Sequence, residues 1–456
     1  MTPRRIRIPG RTAGRMPLLK KLFWAYFLLL IFEGGLRKWI LPQLSAPLLL
    51  VRDPVAVFII WEAYRTHKWP KQWSVVTGIL AAVLLGLFLA QMIAGENPWF
   101  AGLYGLRSYL LPFPVAFIMG ENLDAEDLRK FGTCILWLAL PLVALEVAQY
   151  SAAPKSPLNT GAYQGAEQIG YSGGHVRASA TFSYVAGPIN YFPLAAAFIF
   201  YGLVMEKFAR RWLLWAASFA VILAVPVTGS RTMAYQLGAV LACVGIAAVF
   251  GVSQFTKSLK LIVPFLVVSF LVSLLPVFSD ATDTLLQRFT DANASEGGTE
   301  NSLLLRVLEP VTGTIGEADL TGSWLGLGMG HGAAAITTLL GGSVEFLAGE
   351  YEFPRVLNEF GAPVGFVFML FRISLGVMIV AKALSRVRDH QPLAWLLVPT
   401  MFGTLAYGIL EQPTNQGFLV ISVAFSLAAL KLTKVSPETK PVQNPRWVQP
   451  RNRLYP

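Results

Sequence analysis

Two cysteines, four histidines and a charged fraction of 14% are the scarcities that define this 456-residue chain. Cys134 and Cys243 lie far apart inside apolar stretches, which excludes a disulfide framework and a cysteine-based zinc site. Each reads as a small packed hydrophobe. His67, His175, His331 and His390 are scattered and have no metal-ligand spacing. The chain also lacks a cleavable signal peptide, because the first apolar run has no small-residue cleavage site and continues into EGGLRKW. A nucleic-acid role would need a folded basic domain, and none is legible despite the net charge of +11.

What fills the chain is apolar: 54% of its residues are hydrophobic, too many for a soluble globule of this length. Runs such as SVVTGILAAVLLGLFLAQMIA (74–94) are long enough to cross a hydrocarbon core as helix. They lack the alternation of a barrel strand, which leaves helices as the spanning element. The expectation is an all-α polytopic integral membrane protein with about twelve spans. Their centres fall near Leu28, Phe58, Leu84, Leu110, Leu138, Ala195, Phe219, Val240, Val267, Val367, Leu397 and Val420.

Positive charge sets the orientation. With residues 1–21 inside, the inner segments are 64–72, 120–130, 206–211, 252–260, 382–390 and 431–456 in addition, and together they hold 26 of the 37 lysines and arginines. The organisation is then a basic inner N-terminus (1–21), nine spans (22–278) with an outer loop at 151–177, a large outer loop (279–360), three more spans (361–430) and a disordered basic tail (431–456). The bilayer is the first partner, with anionic headgroups at its inner face. The large loop carries twelve acids against Arg288, Arg306 and Arg355, and LLQRF, NSLLLRVLEPV and EFPRVLNEFG have the apolar spacing of short helices.

Nine of the eleven basic residues left outside are arginine, whose planar fork suits carboxylate or phosphate. Near the midplane such a charge costs roughly 2.5–3.5 kcal/mol, so it faces a polar cavity or a partner. Arg37, Arg52 and Arg107 are expected to pair with Glu33, Asp53 or Glu96, or to reach the headgroups. Arg231 differs, since TGSRT offers no local acid and delivers it to the head of a helix, where unpaired N–H groups favour anions. Arg372 sits near mid-span, lining a path or pairing with Glu411. For Glu309, Glu350, Glu352 and Glu359 the plain expectation, one by one, is a solvated loop face, and for His175 an exposed loop position.

Five segments in order, GGHVRASATFSY (173–184), TGSRT (228–232), NSLLLRVLEP (301–310), SWLGLGMG (323–330) and EFPRVLNEFGAPVGF (352–366), resemble the O-antigen ligase and O-antigen polymerase superfamily. EGGLRKW followed by RDP (33–54) resembles its exopolysaccharide branch. The resemblance implies a membrane-embedded, GT-C-like glycosyltransferase of the bacterial inner membrane. Such enzymes move a glycan, without metal or cofactor, from an undecaprenyl-diphosphate carrier to an acceptor hydroxyl on the outer side. It places the diphosphate on Arg231 and Arg306, with Arg177 and Arg355 as further candidates. The superfamily's histidine slot falls on Glu350 and its asparagine slot on Tyr351, before Glu359 and Gly361. The proton acceptor is then Glu350, Glu352 or Glu359, or lies elsewhere, for example at His331. Polysaccharide-export or chain-length proteins are implied partners. Two other readings compete: a transporter of lipid-linked sugar, for which the chain shows no internal repeat, and a non-catalytic subunit of a polymer-export complex.

Overall fold

The computed structural model describes residues 17–95, 97–162, 175–205, 208–250, 276–296, 324–333, 336, 351–388 and 391–432. Its main helices are α1 (Leu18–Gly35), α2 (Arg52–Arg65), α3 (Lys71–Ala94), α4 (Trp99–Leu110), α5 (Pro112–Asn122), α6 (Ala125–Ser151), α7 (Ala186–Val204), α8 (Arg211–Thr228), α9 (Arg231–Val249), α10 (Pro276–Glu296), α11 (Glu352–Phe360), α12 (Ala362–Arg388), α13 (Val398–Tyr407) and α14 (Pro413–Leu430). The described part is helical, with no β-sheet. Eight helices among the described residues are long and apolar enough to cross a membrane. They contain the expected centres Phe58, Leu84, Leu138, Ala195, Phe219, Val240, Val367 and Val420.

Three other expected centres fall where charge or proline intervenes: α1 is 18 residues long but carries Lys20, Lys21 and Glu33, and the other two runs are cut in two. Leu28 lies in α1; Leu110 ends α4 just before Pro112 opens α5, and Leu397 precedes α13, whose first turn holds Pro399. Pro112 and Pro399 lack the N–H that would continue a helix, so each of these two apolar runs becomes two pieces. The centre at Val267 lies outside the described residues. The large loop is less uniform than short helices alone: α10 is a 21-residue helix that begins before it, and α11 is a nine-residue one.

The bundle is built around α14 and α7. In their most apolar windows 83% and 78% of residues are buried, against 28% in α3, which therefore lies at the periphery. Small side chains permit the close approach that holds helices together in lipid; Gly120 of α5, for example, sits against Leu427 and Ala424 of α14. α3 instead turns Val75, Ile79, Leu85, Leu89 and Ile93 outward, as a lipid-facing helix must. Local signals fix the ends. Asp124 and Asp127 form a reciprocal capping box at the start of α6, and Lys20 bridges both carboxylates at 2.7 and 2.5 Å.

Candidate functional site

The twelve ionisable residues that are buried among the described ones are unevenly distributed along the bundle. Glu62 and Asp127 lie at the end where α2 finishes and α6 starts. The other ten, Glu33, Arg37, Lys38, Arg52, Glu146, Glu352, Arg355, Glu359, Arg372 and Glu411, lie toward the end where α1 finishes and α14 starts. This is the end that charge asymmetry assigns to the outside. In an apolar bundle, so many buried charges persist only when paired or serving a ligand.

The turn EQPTNQG (411–417), which joins α13 to α14, is the hub of this layer. Glu411 accepts from Arg355 Nη1 at 3.0 Å, and the Pro413 carbonyl accepts from Arg52. Asn415 Oδ1 accepts from Asn190 of α7 at 3.2 Å, and Gln416 donates to the Ser108 carbonyl of α4 at 3.1 Å. Tyr104 OH donates to the Glu411 carbonyl at 3.2 Å. Gly417 leaves room for Arg52, since a Cβ there would lie 2.0 Å from the guanidinium and would make it shift.

On one side of the hub stands α11. Glu352, Arg355 and Glu359 are spaced three and four residues apart, which puts them on one helix face, and that face is turned into the protein: they are 2%, 4% and 0% exposed. They are therefore not a solvated loop face. Glu352 pairs with Arg372, whose other nitrogens donate to the carbonyls of Leu405 (2.7 Å) and Gly408 (2.8 Å). Arg372 thus pairs structurally, with Glu352, while Arg355 takes Glu411. Glu359 accepts from Gly332 N (2.8 Å), Gly330 N (3.1 Å) and Tyr109 OH (3.0 Å). Burial and the neighbouring Glu359 carboxylate raise Glu411 well above the ordinary carboxyl range.

The glycine run LGLGMGHG is what lets a backbone reach Glu359. Gly330 has φ of +85°, and a Cβ there would come within 2.2 Å of the Ala101 carbonyl of α4. Gln91 at the end of α3 receives Met329 N at 2.9 Å and donates to the carbonyls of Leu325 and Glu359, while Asn97 donates to the Met329 carbonyl at 2.7 Å. His331 is carried between the two glycine N–H groups that hold Glu359. It is half-buried, and burial lowers its pKa, which keeps the imidazole neutral near pH 7.

On the other side of the hub stand Glu33, Arg37, Lys38, Arg52, Asp53 and Arg107. Glu33 pairs with Arg37 (3.4 Å) and Arg52 (3.0 Å), and Asp53 with Arg107 (3.3 Å). These are the pairings expected for the three arginines; Glu96 lies outside the described residues. Lys38, on the π-helical turn after α1, donates to Ser179 Oγ at 2.6 Å, and burial together with Arg37 lowers its ammonium to about 7. The loop GGHVRASATFSY is anchored here, because Gln149 receives both Ser179 N and Ala180 N and Arg37 donates to Ser183 Oγ.

A third region carries Arg177 and Arg231. Gly229, with φ of +59°, ends α8; Ser230 caps α9 by accepting from Met233 N, and Arg231 is the first helical residue. Tyr150, Ala178, Val227 and Ala281 form one small core, which brings the segments of Arg177 and Arg231 together beside the start of α10. His175 is half-buried here: it stacks on Tyr150 at 4.2 Å and its Nε2 lies 3.1 Å from Asp280. Below the Arg231 turn a cleft of about 370 Å³ opens between α7, α8, α9 and α10, its walls including Phe200, Ile222, Pro226, Leu241, Phe278 and Leu285. From Ala234 to Leu241 it runs about 10 Å along α9.

Of the residues assigned to the site from sequence, Glu350 and Arg306 lie outside the described residues. The structure gathers Glu352, Arg355 and Glu359 on α11 and places the segments of Arg177 and Arg231 around a separate core. Sequence reading missed the EQPTNQG hub, Gln91, Tyr109 and Glu146. Glu146 is fully buried in α6 and neither carboxyl oxygen has a partner among the described residues. The available signals were a polar run between two spans and an acid inside one. The chain matches no protein-family model and no curated protein.

Proposed function

We propose that the chain is an inverting, metal-independent glycosyltransferase of the bacterial inner membrane. It transfers or polymerises glycan carried on undecaprenyl diphosphate at the outer face, as the O-antigen and exopolysaccharide polymerases and ligases do, through a GT-C-like bundle of about twelve spans. The observation that carries this reading is the apolar cleft whose walls include Pro226 and Ala234, the residues on either side of the Arg231 turn in the chain. An isoprenoid chain suits its walls, and a diphosphate at its mouth meets the guanidinium and the N–H groups at the head of α9.

In this reading the bond between the anomeric carbon and the phosphate oxygen breaks, the diphosphate leaves with the electron pair, and the acceptor hydroxyl oxygen forms the new bond from the opposite face. Arginines that hold the diphosphate more tightly as its charge develops lower the barrier. Arg231 and Arg306 take this role, with Arg177 as a further candidate. Glu352 and Glu359 are buried and committed to Arg372 and to the glycine loop, which supports giving the hydroxyl proton to Glu350 or to neutral His331. The polymerase form is favoured over the ligase because Glu350 replaces the superfamily's histidine and EGGLRKW follows the exopolysaccharide branch. Arg231→Ala is expected to abolish polymer while the lipid-linked donor accumulates on the outer face. Donor retained on the inner face would instead identify a transporter.

A further inference from the structure

At the end of the bundle that charge asymmetry assigns to the inside, α2 is closed by a histidine where a glycine is usual. His67 N donates to the Tyr64 carbonyl at 3.2 Å and Lys68 N to the Ala63 carbonyl at 2.8 Å, the paired bonds of a Schellman ending, and His67 at its pivot has φ of +55°. A side chain there carries backbone strain that glycine avoids. The helix ending does not use the imidazole, which has no hydrogen-bond partner among the described residues. It lines an open cleft of about 530 Å³ instead, whose other walls are Tyr64, Trp69, Lys71 and Ser74.

That lining holds an ammonium, an imidazole and two hydroxyls, and no carboxylate. Ser74 Oγ accepts from Trp69 Nε1 at 2.9 Å, which leaves its own proton free to donate. The acids nearest in the chain are engaged: Glu62 accepts two bonds from Arg65, at 2.8 and 2.9 Å, and Glu121 accepts from Gln72 at 2.9 Å. The walls are also held in place. Asn122 donates to the Lys68 carbonyl at 3.0 Å and Trp73 stacks on Phe117 at 4.2 Å, which fixes the turn and the start of α3 against α5. A preformed cleft lined by donors alone suits an anion, and the amine of a zwitterionic headgroup would find no carboxylate in it. The surroundings decide the kind of anion. Phe58, Trp61 and Tyr64 leave this end of α2 exposed and aromatic, as at the headgroup level of a bilayer. Below Ser74 the same face of α3 carries Gly78 and Ala82, both exposed, and a Cβ on Gly78 would meet nothing within 4 Å.

We propose that the His67 turn and the start of α3 form a binding site for an anionic phospholipid of the inner leaflet. Lys71 supplies the charge that meets the phosphate, and His67, Tyr64 and Ser74 donate hydrogen bonds to its oxygens. The Trp69 ring covers the glycerol, and an acyl chain follows the smooth track of Gly78 and Ala82. The site lies at the opposite end of the bundle from the Arg231 turn and stands independently of glycan transfer.

The test is photo-cross-linking of the full chain, in neutral detergent, with a phosphatidylglycerol that carries a diazirine on its headgroup, the labelled residues being located by mass spectrometry. Saturable labelling within residues 64–74 is expected, displaced by unlabelled phosphatidylglycerol and not by phosphatidylcholine or inorganic phosphate. Lys71→Gln should weaken the apparent affinity about fivefold or more, which is what one basic side chain contributes at an anionic surface. His67→Gly should weaken it about twofold or more through the lost hydrogen bond. Its melting temperature in lipid-free detergent should meanwhile stay level or rise, because glycine takes a positive φ without strain. A variant that had merely lost its fold would lower both. No saturable labelling within 64–74, unchanged affinity in Lys71→Gln, or a His67→Gly protein that labels like the wild type would each overturn the proposal. So would equal displacement by phosphatidylcholine, which marks general lipid contact, or by inorganic phosphate, which marks a site for a soluble ion.

Discussion

Replacing Arg372 by methionine keeps the length of the side chain and removes its charge from a place where both partners of the ion pair are fully enclosed: the side chains of Arg372 and Glu352 are each 0% exposed. The variant strands the Glu352 carboxylate and the carbonyls of Leu405 and Gly408, which Arg372 Nε and Nη2 otherwise satisfy. An uncompensated buried charge costs about 3–5 kcal/mol. The double variant Arg372→Met/Glu352→Gln removes the stranded charge, while the amide oxygen still accepts from Leu410 N. It should recover most of the loss, leaving about 1–2 kcal/mol for the carbonyls. The assay is the temperature at which half the protein ceases to run as a monodisperse peak after heating, for the wild type, both single variants and the double. Equal losses in Arg372→Met and in the double variant would show that the pair is not what holds α11 to α12, and the account of the buried layer would fail.

Further consequences follow from the same layer. Glu411→Gln should change stability by less than about 1 kcal/mol, because burial and the neighbouring Glu359 favour the neutral form of its carboxyl, whereas Glu359→Gln should cost roughly 2–4 kcal/mol by turning one acceptor oxygen into a donor against glycine N–H groups and Tyr109; melting curves of the two variants test the contrast. Lys38 titrates near 7 in the folded protein and at its ordinary 10.5 when unfolded, so between those values the unfolded chain binds a proton that the folded one lacks. Its contribution to stability therefore rises with pH by up to about 1.4 kcal/mol per unit above pH 7 and is flat below. Lys38→Met should remove that rise, which paired melting series from pH 6 to 9 would reveal. Gly330→Ala meets the Ala101 carbonyl at 2.2 Å and an unfavourable φ, and should destabilise by at least about 2 kcal/mol in the same melting assay.

The helices were legible because apolar length and interrupting charge are properties of contiguous residues. Eight of the expected runs became helices of spanning length, including the one near Phe58 that Arg52 opens, and those near Leu28, Leu110 and Leu397 fell where charge or proline cuts the run. TGSRT was legible for the same reason: its glycine, serine and arginine act as helix stop, helix cap and first helical residue within one turn. The partners of Arg355 and Arg372 were not. Both arginines had acids at suitable positions, and choosing between Glu352 and Glu411 depends on how α11, α12 and the 411–417 turn meet in space. Glu352 and Glu359 look like a solvated acidic loop in sequence, because their burial depends on distant partners, Arg372 for Glu352 and the glycine run with Gln91 for Glu359.

The central claim, that this bundle transfers lipid-linked glycan at its arginine-lined outer end, is tested most directly by reconstitution. Purified protein in nanodiscs is supplied with undecaprenyl-diphosphate oligosaccharide, with and without a separate acceptor core, and the carrier-linked glycans are resolved by length. The account predicts longer carrier-linked chains from the protein alone, with no added metal and no acceptor core, and none from Arg231→Ala. An unchanged donor population in the presence of correctly folded wild-type protein, with or without acceptor, would contradict it.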